Sequence, residues 1–403
     1  MSVSNGKLPV GERLLPALLD EYAHYDPDKL VAVVPADAGM KMWNKVNYRE
    51  LKQVVDHLAW DIEKKIGRSD TFEHLVYLGV SDIRYMCFWL AAMKCGYCVC
   101  FPDRRGFCEP STCSLRTVSI SPSSDAVAAG ANCSIIIQNL VLSPRNSPEE
   151  QRSLLEDTGC KVLFYSSELK KTVEGIKNIL AWELKSFLLP TYEDLIGAAT
   201  AIDAKPYPFI KTFQQLAHKP AITFHTSGTT GMPKPITVVH FYFATMDNLS
   251  ILPVPKGRKQ SNWTVLNSGD VYFNGFPPFH PAGASFACIT PLHTGTVFVL
   301  PPSEVPLNED VFLKAAKQFD FECAFLPPSF IEDIAGSPEA LEAISKLKYV
   351  FSMAGPLGLA SGDKVSQYTQ LIQLIGSTEC GLMAGLVPKN WRGFEWNPNY
   401  GDE

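Results

Sequence analysis

The segment Thr223-Phe-His-Thr-Ser-Gly-Thr-Thr-Gly-Met-Pro-Lys234 constrains this chain more than any other. It follows directly on an apolar, strand-like run, Pro220-Ala-Ile-Thr-Phe224. A loop crowded with hydroxyls and glycines and closed by a lysine suits an anionic phosphate. Backbone N–H groups and hydroxyls donate to the phosphate oxygens, and the ammonium supplies a point charge. Gly228 and Gly231 let the backbone come close to the ligand in conformations that side chains disfavour. The order is not that of a Walker A loop, which needs Gly-Lys followed by Ser or Thr. Here Gly231 is followed by Met232-Pro233-Lys234-Pro235.

A strand that opens into a phosphate loop predicts a mostly parallel α/β sheet, whose ligand sites lie at the C-terminal ends of its strands. The remaining pattern agrees. Residues 47–66 predict an amphipathic helix: Asn47 with Glu50 forms a capping-box pair, and Leu51, Val54, Val55, Leu58, Ile62 and Ile66 keep helical spacing. Residues 74–80 and 160–165 read as strands, with a helix over 82–94. Beyond the loop, strand-like runs at 271–273, 296–300, 323–326 and 348–351 alternate with helical segments at 311–318 and 329–335. Alternation of this kind means parallel strands covered by helices.

At 403 residues the chain is long enough for two or three domains, or for one large α/β domain with subdomains. A net charge of −6 with no basic block argues against a nucleic-acid partner. No apolar run approaches the roughly 18 residues that a membrane span requires. The N-terminus, Met1-Ser-Val-Ser-Asn-Gly-Lys7, has no apolar signal core, so a cytoplasmic location is expected. Eleven cysteines, an odd count, then read as reduced thiols, and Cys95-Gly-Tyr-Cys98 stands alone without a second pair to complete a zinc site.

Four segments together resemble the adenylate-forming (AMP-binding) superfamily of acyl-CoA synthetases, luciferases and peptide-synthetase adenylation domains. They are the T-S-G-T-T-G-x-P-K loop, Phe276-Pro-Pro-Phe-His-Pro-Ala-Gly283, Ser352-Met-Ala-Gly-Pro-Leu-Gly358 and Gly376-Ser-Thr-Glu-Cys-Gly381. The resemblance is nearest to adenylation domains of fungal NRPS-like carboxylic acid reductases, and Phe394-Glu-Trp-Asn-Pro398 adds to it. It implies a large N-terminal domain of stacked, mostly parallel sheets flanked by helices (αβαβα) over residues 12–403, with subdomains of about 12–219 and 220–403.

The resemblance also implies roles. ATP and Mg²⁺ are the expected cofactors, with a phosphopantetheine thiol on a carrier domain, or CoA, as acceptor, and a small carboxylic acid as substrate. Thr226, Ser227, Gly228, Thr229, Thr230 and Gly231 would hold phosphates with Lys234. Glu379 would bind the metal and Thr378 the α-phosphate, with Gly376 and Ser377 beside them. Ala354, Gly355 and Pro356 would pack against adenine, where small residues let a flat base slide along the backbone. His280 would gate the carboxylate pocket. Amino-acid-activating members usually place an aspartate just after this point to pair with the substrate ammonium, but here Pro281 stands there. A buried ammonium without a counter-charge is costly, so the expected acid lacks a free α-amine. Phe279, Phe325, Ser352, Leu374, Leu382 and Met383 would line an apolar pocket for an aryl or alkyl acid.

Departures from the pattern carry their own expectations. Ile375 stands where the family has an aromatic residue, and Pro235 replaces a glycine. Residues 99–138 have no sustained periodicity, and their flanks match family elements that lie close together. Val99-Cys100, Ala131-Asn132 and Gln138 can be encoded by donor, branch-point and acceptor splice sequences. The stretch therefore reads as a retained intron or a disordered insertion. Glu403 precedes the ribose-binding aspartate and the small C-terminal domain whose lysine stabilises developing charge. On that basis an impaired ligase is expected. The alternatives are a stand-alone acyl-CoA ligase and a non-catalytic nucleotide- or acyl-binding remnant. A serine hydrolase and a dinucleotide oxidoreductase lack their G-x-S-x-G and G-x-G-x-x-G signatures.

Overall fold

The computed structural model describes residues 8–100, 152, 155–201, 205–226 and 234–389. Its strands in chain order are β1 (Leu30–Pro35), β2 (Trp43–Asn47), β3 (His74–Leu78), β4 (Cys98–Cys100), β5 (Val162–Tyr165), β6 (Lys185–Leu188), β7 (Pro220–Thr226), β8 (Lys234–Val239), β9 (Arg258–Gln260), β10 (Val271–Asn274), β11 (Val297–Val299), β12 (Cys323–Leu326), β13 (Tyr349–Ser352), β14 (Gln370–Gln373), β15 (Gly376–Ser377), β16 (Gly381–Leu382) and β17 (Leu386–Pro388). One sheet runs β14-β13-β12-β10-β11-β1-β2, and the other β6-β5-β3-β4-β7-β8. Every neighbouring pair is parallel except at one edge of each sheet, where β2 and β8 return antiparallel. Strands such as Cys323–Leu326 and Val297–Val299 are buried throughout, as parallel strands covered on both faces must be.

Between the sheets lies a shared helical layer. The helix Arg84–Lys94 is buried at all eleven positions, so it is apolar nearly all round rather than striped. The helix Tyr48–Ile66 packs beside it and opens on the expected capping box. Glu50 N–H donates to Asn47 Oδ1 at 2.9 Å, and Asn47 N–H donates to Glu50 Oε2 at 3.2 Å. One core joins Tyr272, Phe325 and Phe351 of the seven-stranded sheet to Leu75, Phe164 and Phe224 of the six-stranded one through these helices. A second core covers the outer face of the larger sheet, and a third the outer face of the smaller. The layers therefore read αβαβα, as the resemblance implied.

The division at 219/220 follows the chain but not the sheets. β1 pairs with β11, so the N-terminal segment completes the sheet built from 271–373. β7 pairs with β4, so the segment after 220 completes the sheet built from 74–188. At the start of the aperiodic stretch, Val99 and Cys100 belong to β4 between β3 and β7. The pattern missed them because a three-residue strand is too short to show a period. Residues 101–138 lie outside the described residues.

Two charged contacts hold the helical layer. Lys94 Nζ, sealed from solvent, donates to Asp56 Oδ1 at 2.7 Å and Asp20 Oδ1 at 2.8 Å. Asp247, on the helix His240–Asn248 that follows β8, accepts from Arg13 Nε at 2.8 Å and from Gly11 N–H at 2.7 Å. Burial opposes ionisation of Asp247, yet Arg13, His293 and the Gly11 amide together hold its carboxyl below the usual range. Replacing it by D247N leaves Arg13, whose side chain is 15% exposed, without its counter-charge. We expect this to cost about 3–5 kcal/mol in urea unfolding, as for other broken buried pairs, and a loss below about 1 kcal/mol would show the pair to be incidental.

His240 and His293 are buried, and desolvation pushes each imidazole down to about 4. The unfolded chain takes up a proton on each near pH ~6.5, while the native state refuses it until about 4. Stability contributed by the neutral rings is therefore complete above the unfolded value and is lost as pH falls through this window. Each ring should remove about 3 kcal/mol, measured as urea midpoints over the same range. The variants H240Q and H293Q should flatten that slope.

Candidate active site

Because β10, β12, β13 and β14 are adjacent and parallel, the segments that leave them emerge along one edge of the larger sheet. Those segments carry the His280 turn, the Pro327 turn, the Ala354 turn and the Glu379 hairpin. The edge is laced by backbone bonds: Gly275 N–H to Phe325 O at 2.9 Å and Leu374 N–H to Ser352 O at 2.8 Å.

The segment after β10 is held by a residue that sequence reading passed over. Asn274 is fully buried; its Oδ1 accepts from Phe276 N–H at 3.1 Å, and its amide donates to Gly283 O at 3.3 Å. A polar residue ending the apolar run Val271-Tyr-Phe-Asn274 was the available signal. Gly283 must be glycine, since a Cβ there would sit 1.8 Å from Pro277 O. His280 caps the short helix Pro281–Ala284 by accepting from Ala282 N–H at Nδ1, 3.1 Å away, and its ring stacks on Phe276. Accepting at Nδ1 places the proton of the neutral ring on Nε2. Pro281 opens that helix with the fixed φ that suits a first helical position. The helical path continues as a π-helical stretch, Ser285–Ile289, of a kind frequent at functional sites.

Phe325 does not line an open pocket. It is fully buried and stacked between Phe286, 3.7 Å away, and Phe351, 4.6 Å away. It forms the wall behind the site. Ser352 departs as well: its register beside Leu326 and Gln373 turns the side chain to the face covered by the second core, and it is 1% exposed. Strand alternation decides both outcomes, and a motif read as a string of letters does not register it. Phe279, Leu374 and Leu382 are nearly buried, while Met383 is 42% exposed.

Ala354 has φ +71°, a left-handed conformation that costs a non-glycine residue about 1–2 kcal/mol. Such strain concentrates at ligand-binding turns. Gly355 beside it is half-buried and Pro356 exposed.

The hairpin β15–β16 has two paired positions, Gly376 with Leu382 and Ser377 with Gly381. Thr378, Glu379 and Cys380 make its turn, closed by Cys380 N–H donating to Ser377 Oγ at 3.2 Å. Thr378 is half-buried and Glu379 exposed. Among the described residues no group of three His, Cys, Asp or Glu side chains could enclose a metal. A single exposed carboxylate nevertheless suits Mg²⁺, a hard ion that usually keeps several waters and binds through one or two carboxylates plus substrate phosphates.

At the edge of the smaller sheet, β7 ends at Thr226 and β8 begins at Lys234, with the two backbones paired opposite one another. Ser227, Gly228, Thr229, Thr230 and Gly231 lie outside the described residues, as do the side chains of Thr226 and Lys234. Beneath the loop, Thr223 in β7 hydrogen-bonds Thr237 in β8 at 2.8 Å and His74 Nε2 at 3.2 Å. Burial lowers the His74 pKa. These bonds tie the two strands that carry the loop to each other and to β3.

No helix among the described residues is long and apolar enough to cross a membrane.

The profile of the AMP-binding enzyme family matches residues 129–399. The isocyanide synthase-NRPS hybrid crmA of Aspergillus fumigatus is 26% identical over 405 residues, covering 99% of this chain and 24% of that protein. A carboxylic acid reductase of Neurospora crassa is 27% identical over 381 residues, covering 92% of this chain and 31% of that protein. The chain thus spans a quarter to a third of these relatives' length. Among solved structures, a benzoate CoA ligase from Burkholderia xenovorans LB400 superposes with TM-score 0.67 at 14% identity, covering 93% of this chain and 63% of the other. The N-terminal domain of FACL13 from Mycobacterium tuberculosis superposes with TM-score 0.66 at 15% identity, covering 91% and 77%. With that family's profile matched over residues 129–399, more than half of its length, this chain belongs to the AMP-binding enzyme family.

Proposed function

We propose that this chain is the nucleotide- and acid-binding part of an enzyme that activates an aryl or alkyl carboxylic acid with ATP. A carboxylate oxygen attacks the α-phosphorus, the bond to the bridging oxygen breaks, and pyrophosphate leaves. The resulting acyl-adenylate is then opened by a thiol, which forms the thioester and releases AMP. The relatives described as carboxylic acid reductase and NRPS hybrid favour a phosphopantetheine thiol on a carrier domain over free CoA.

The observation that carries the reading is the Glu379 turn, an exposed carboxylate beside Thr378 on the edge that also bears the Ala354 turn and His280. Mg²⁺, when bound, would draw charge from the phosphates and orient them. Glu379 would hold it, Thr378 and the loop 226–234 would hold phosphate oxygens, and Ala354–Gly355 would offer backbone to the adenine face. His280, its ring oriented by the Ala282 amide, would stand at the mouth of the acid pocket.

Two tests follow. In calorimetry with the 403-residue chain, ATP should bind more tightly with Mg²⁺ than with EDTA. Glu379→Gln should weaken the magnesium-dependent part by roughly tenfold or more while leaving magnesium-free binding in place. Equal binding by both proteins at every Mg²⁺ concentration would remove Glu379 from the metal. In the presence of a non-hydrolysable ATP analogue, an aryl acid should bind at least roughly tenfold more tightly than its α-amino counterpart, because Pro281 supplies no counter-charge. Preference for the amino acid would reverse the assignment of substrate class.

A further inference from the structure

The Glu379 turn is lightly supported from within: beyond the paired positions, one further backbone bond, Met383 N–H to Ile375 O at 2.9 Å, closes its base. Its hairpin is paired at two positions only, and a short isolated hairpin is marginal in water. The structure supplies further support from the helix that follows the opposite sheet's edge strand. Tyr242 lies at the third position of the helix His240–Asn248, eight residues beyond Lys234. Its ring and hydroxyl stand 3.2–3.4 Å from where a Cβ on Gly381 would be. Gly381 itself has φ +74°, a conformation that disfavours a side chain, and a Cβ there would press on the Tyr242 ring. The hydroxyl is also within electrostatic reach of Cys380 and Glu379: burial foremost, then these two groups, push the phenol's ionisation upward.

The helix beneath Tyr242 is anchored at several points. Its neighbour Phe243 is buried against Trp89 of the central helix, ring centroids 5.5 Å apart. One turn on, Asp247 is pinned by Arg13 and Gly11. Toward the N-terminus the helix continues directly from β8, which is locked to β7 by Thr223 and Thr237. The helix that continues the return strand of the phosphate loop thus meets the carboxylate hairpin where the Tyr242 ring sits on Gly381.

We propose that Tyr242 is a positioning residue for Glu379, setting the magnesium carboxylate in register with the Lys234 strand through its contact with Gly381. This rests on the reading of Glu379 as the metal ligand. The ring is the working part, so Tyr242→Phe should behave as the unaltered protein does. Tyr242→Ala should lose roughly tenfold in magnesium-dependent ATP affinity, because misplacement of a charged group by about an ångström is expensive. Its affinity for ATP in EDTA should stay unchanged, since Tyr242 stands away from the adenine turn in sequence and sheet.

The experiment is calorimetry of ATP binding with Mg²⁺ and with EDTA for the 403-residue chain and its Y242F, Y242A and E379Q variants. Tyr242→Leu keeps the apolar bulk and replaces Y242A should that variant fail to fold. A selective loss in Y242A or Y242L, restored in Y242F, supports the proposal. Normal magnesium dependence in Y242A or Y242L while E379Q has lost it overturns the proposal alone. An equal loss with Mg²⁺ and with EDTA also overturns it, since that is the mark of general destabilisation. Absence of any magnesium effect in the unaltered protein, with E379Q indistinguishable, overturns the metal reading and this inference with it.

Discussion

The fold depends on a layer of apolar helices shared by two sheets. The helix Arg84–Lys94 has no solvated face, so it is stable only with a sheet on either side. Its aromatic residues divide the work: Phe88 packs on Phe164 and Tyr77 of the smaller sheet, and Trp89 on Phe224 and on Phe243 of the helix after β8. On the other side Phe286 presses on Phe325, which in turn stacks on Phe351. The sheets are locked through what lies between them. Their exchange of strands, with β1 in one and β7–β8 in the other, means that neither can form without chain from the far part of the sequence.

This arrangement explains why the candidate site is assembled from short, weakly supported pieces. Long-range packing holds the strand ends, and the segments leaving them are anchored to the core by a few side chains each, such as Phe279, Leu374 and Leu382, while their turns face outward. Those segments adopt geometries that a self-standing turn would avoid. Ala354 carries a positive φ, and Gly283 touches the backbone of Pro277. Asn274 is a buried amide whose hydrogen bonds all serve the His280 turn. Strain and buried polarity of this kind persist only where the surroundings over-determine them.

Much of the fold was legible in the sequence. The capping box at Asn47 and Glu50, the strand 323–326 and the alternation after residue 270 were readable because hydrophobic period and capping chemistry are local. The edge strands β2 and β8 were not, since an antiparallel edge bears no period distinct from a loop's when only part of it is buried. The site was legible as motifs. Yet Phe325 and Ser352, assigned to the pocket by neighbourhood in sequence, proved to be a core wall and a residue of the opposite face. Tyr242 carried no signal, because nothing in the run His240-Phe-Tyr-Phe243 distinguishes a ring that packs inward from one that meets a distant glycine.

The sequence by itself determined the α/β class, the phosphate-loop position directly after a strand, and the order of the Lys234, His280, Ala354 and Glu379 segments along the chain. Each follows from period, turn chemistry or residue type over a few neighbouring positions. Tertiary structure alone decided which sheet each strand joined and which face each side chain met. It also decided that the helix after the loop would bear on the carboxylate hairpin. Those outcomes turn on burial between residues more than a hundred positions apart, such as Tyr242 and Gly381, and no local pattern encodes a partner at that distance.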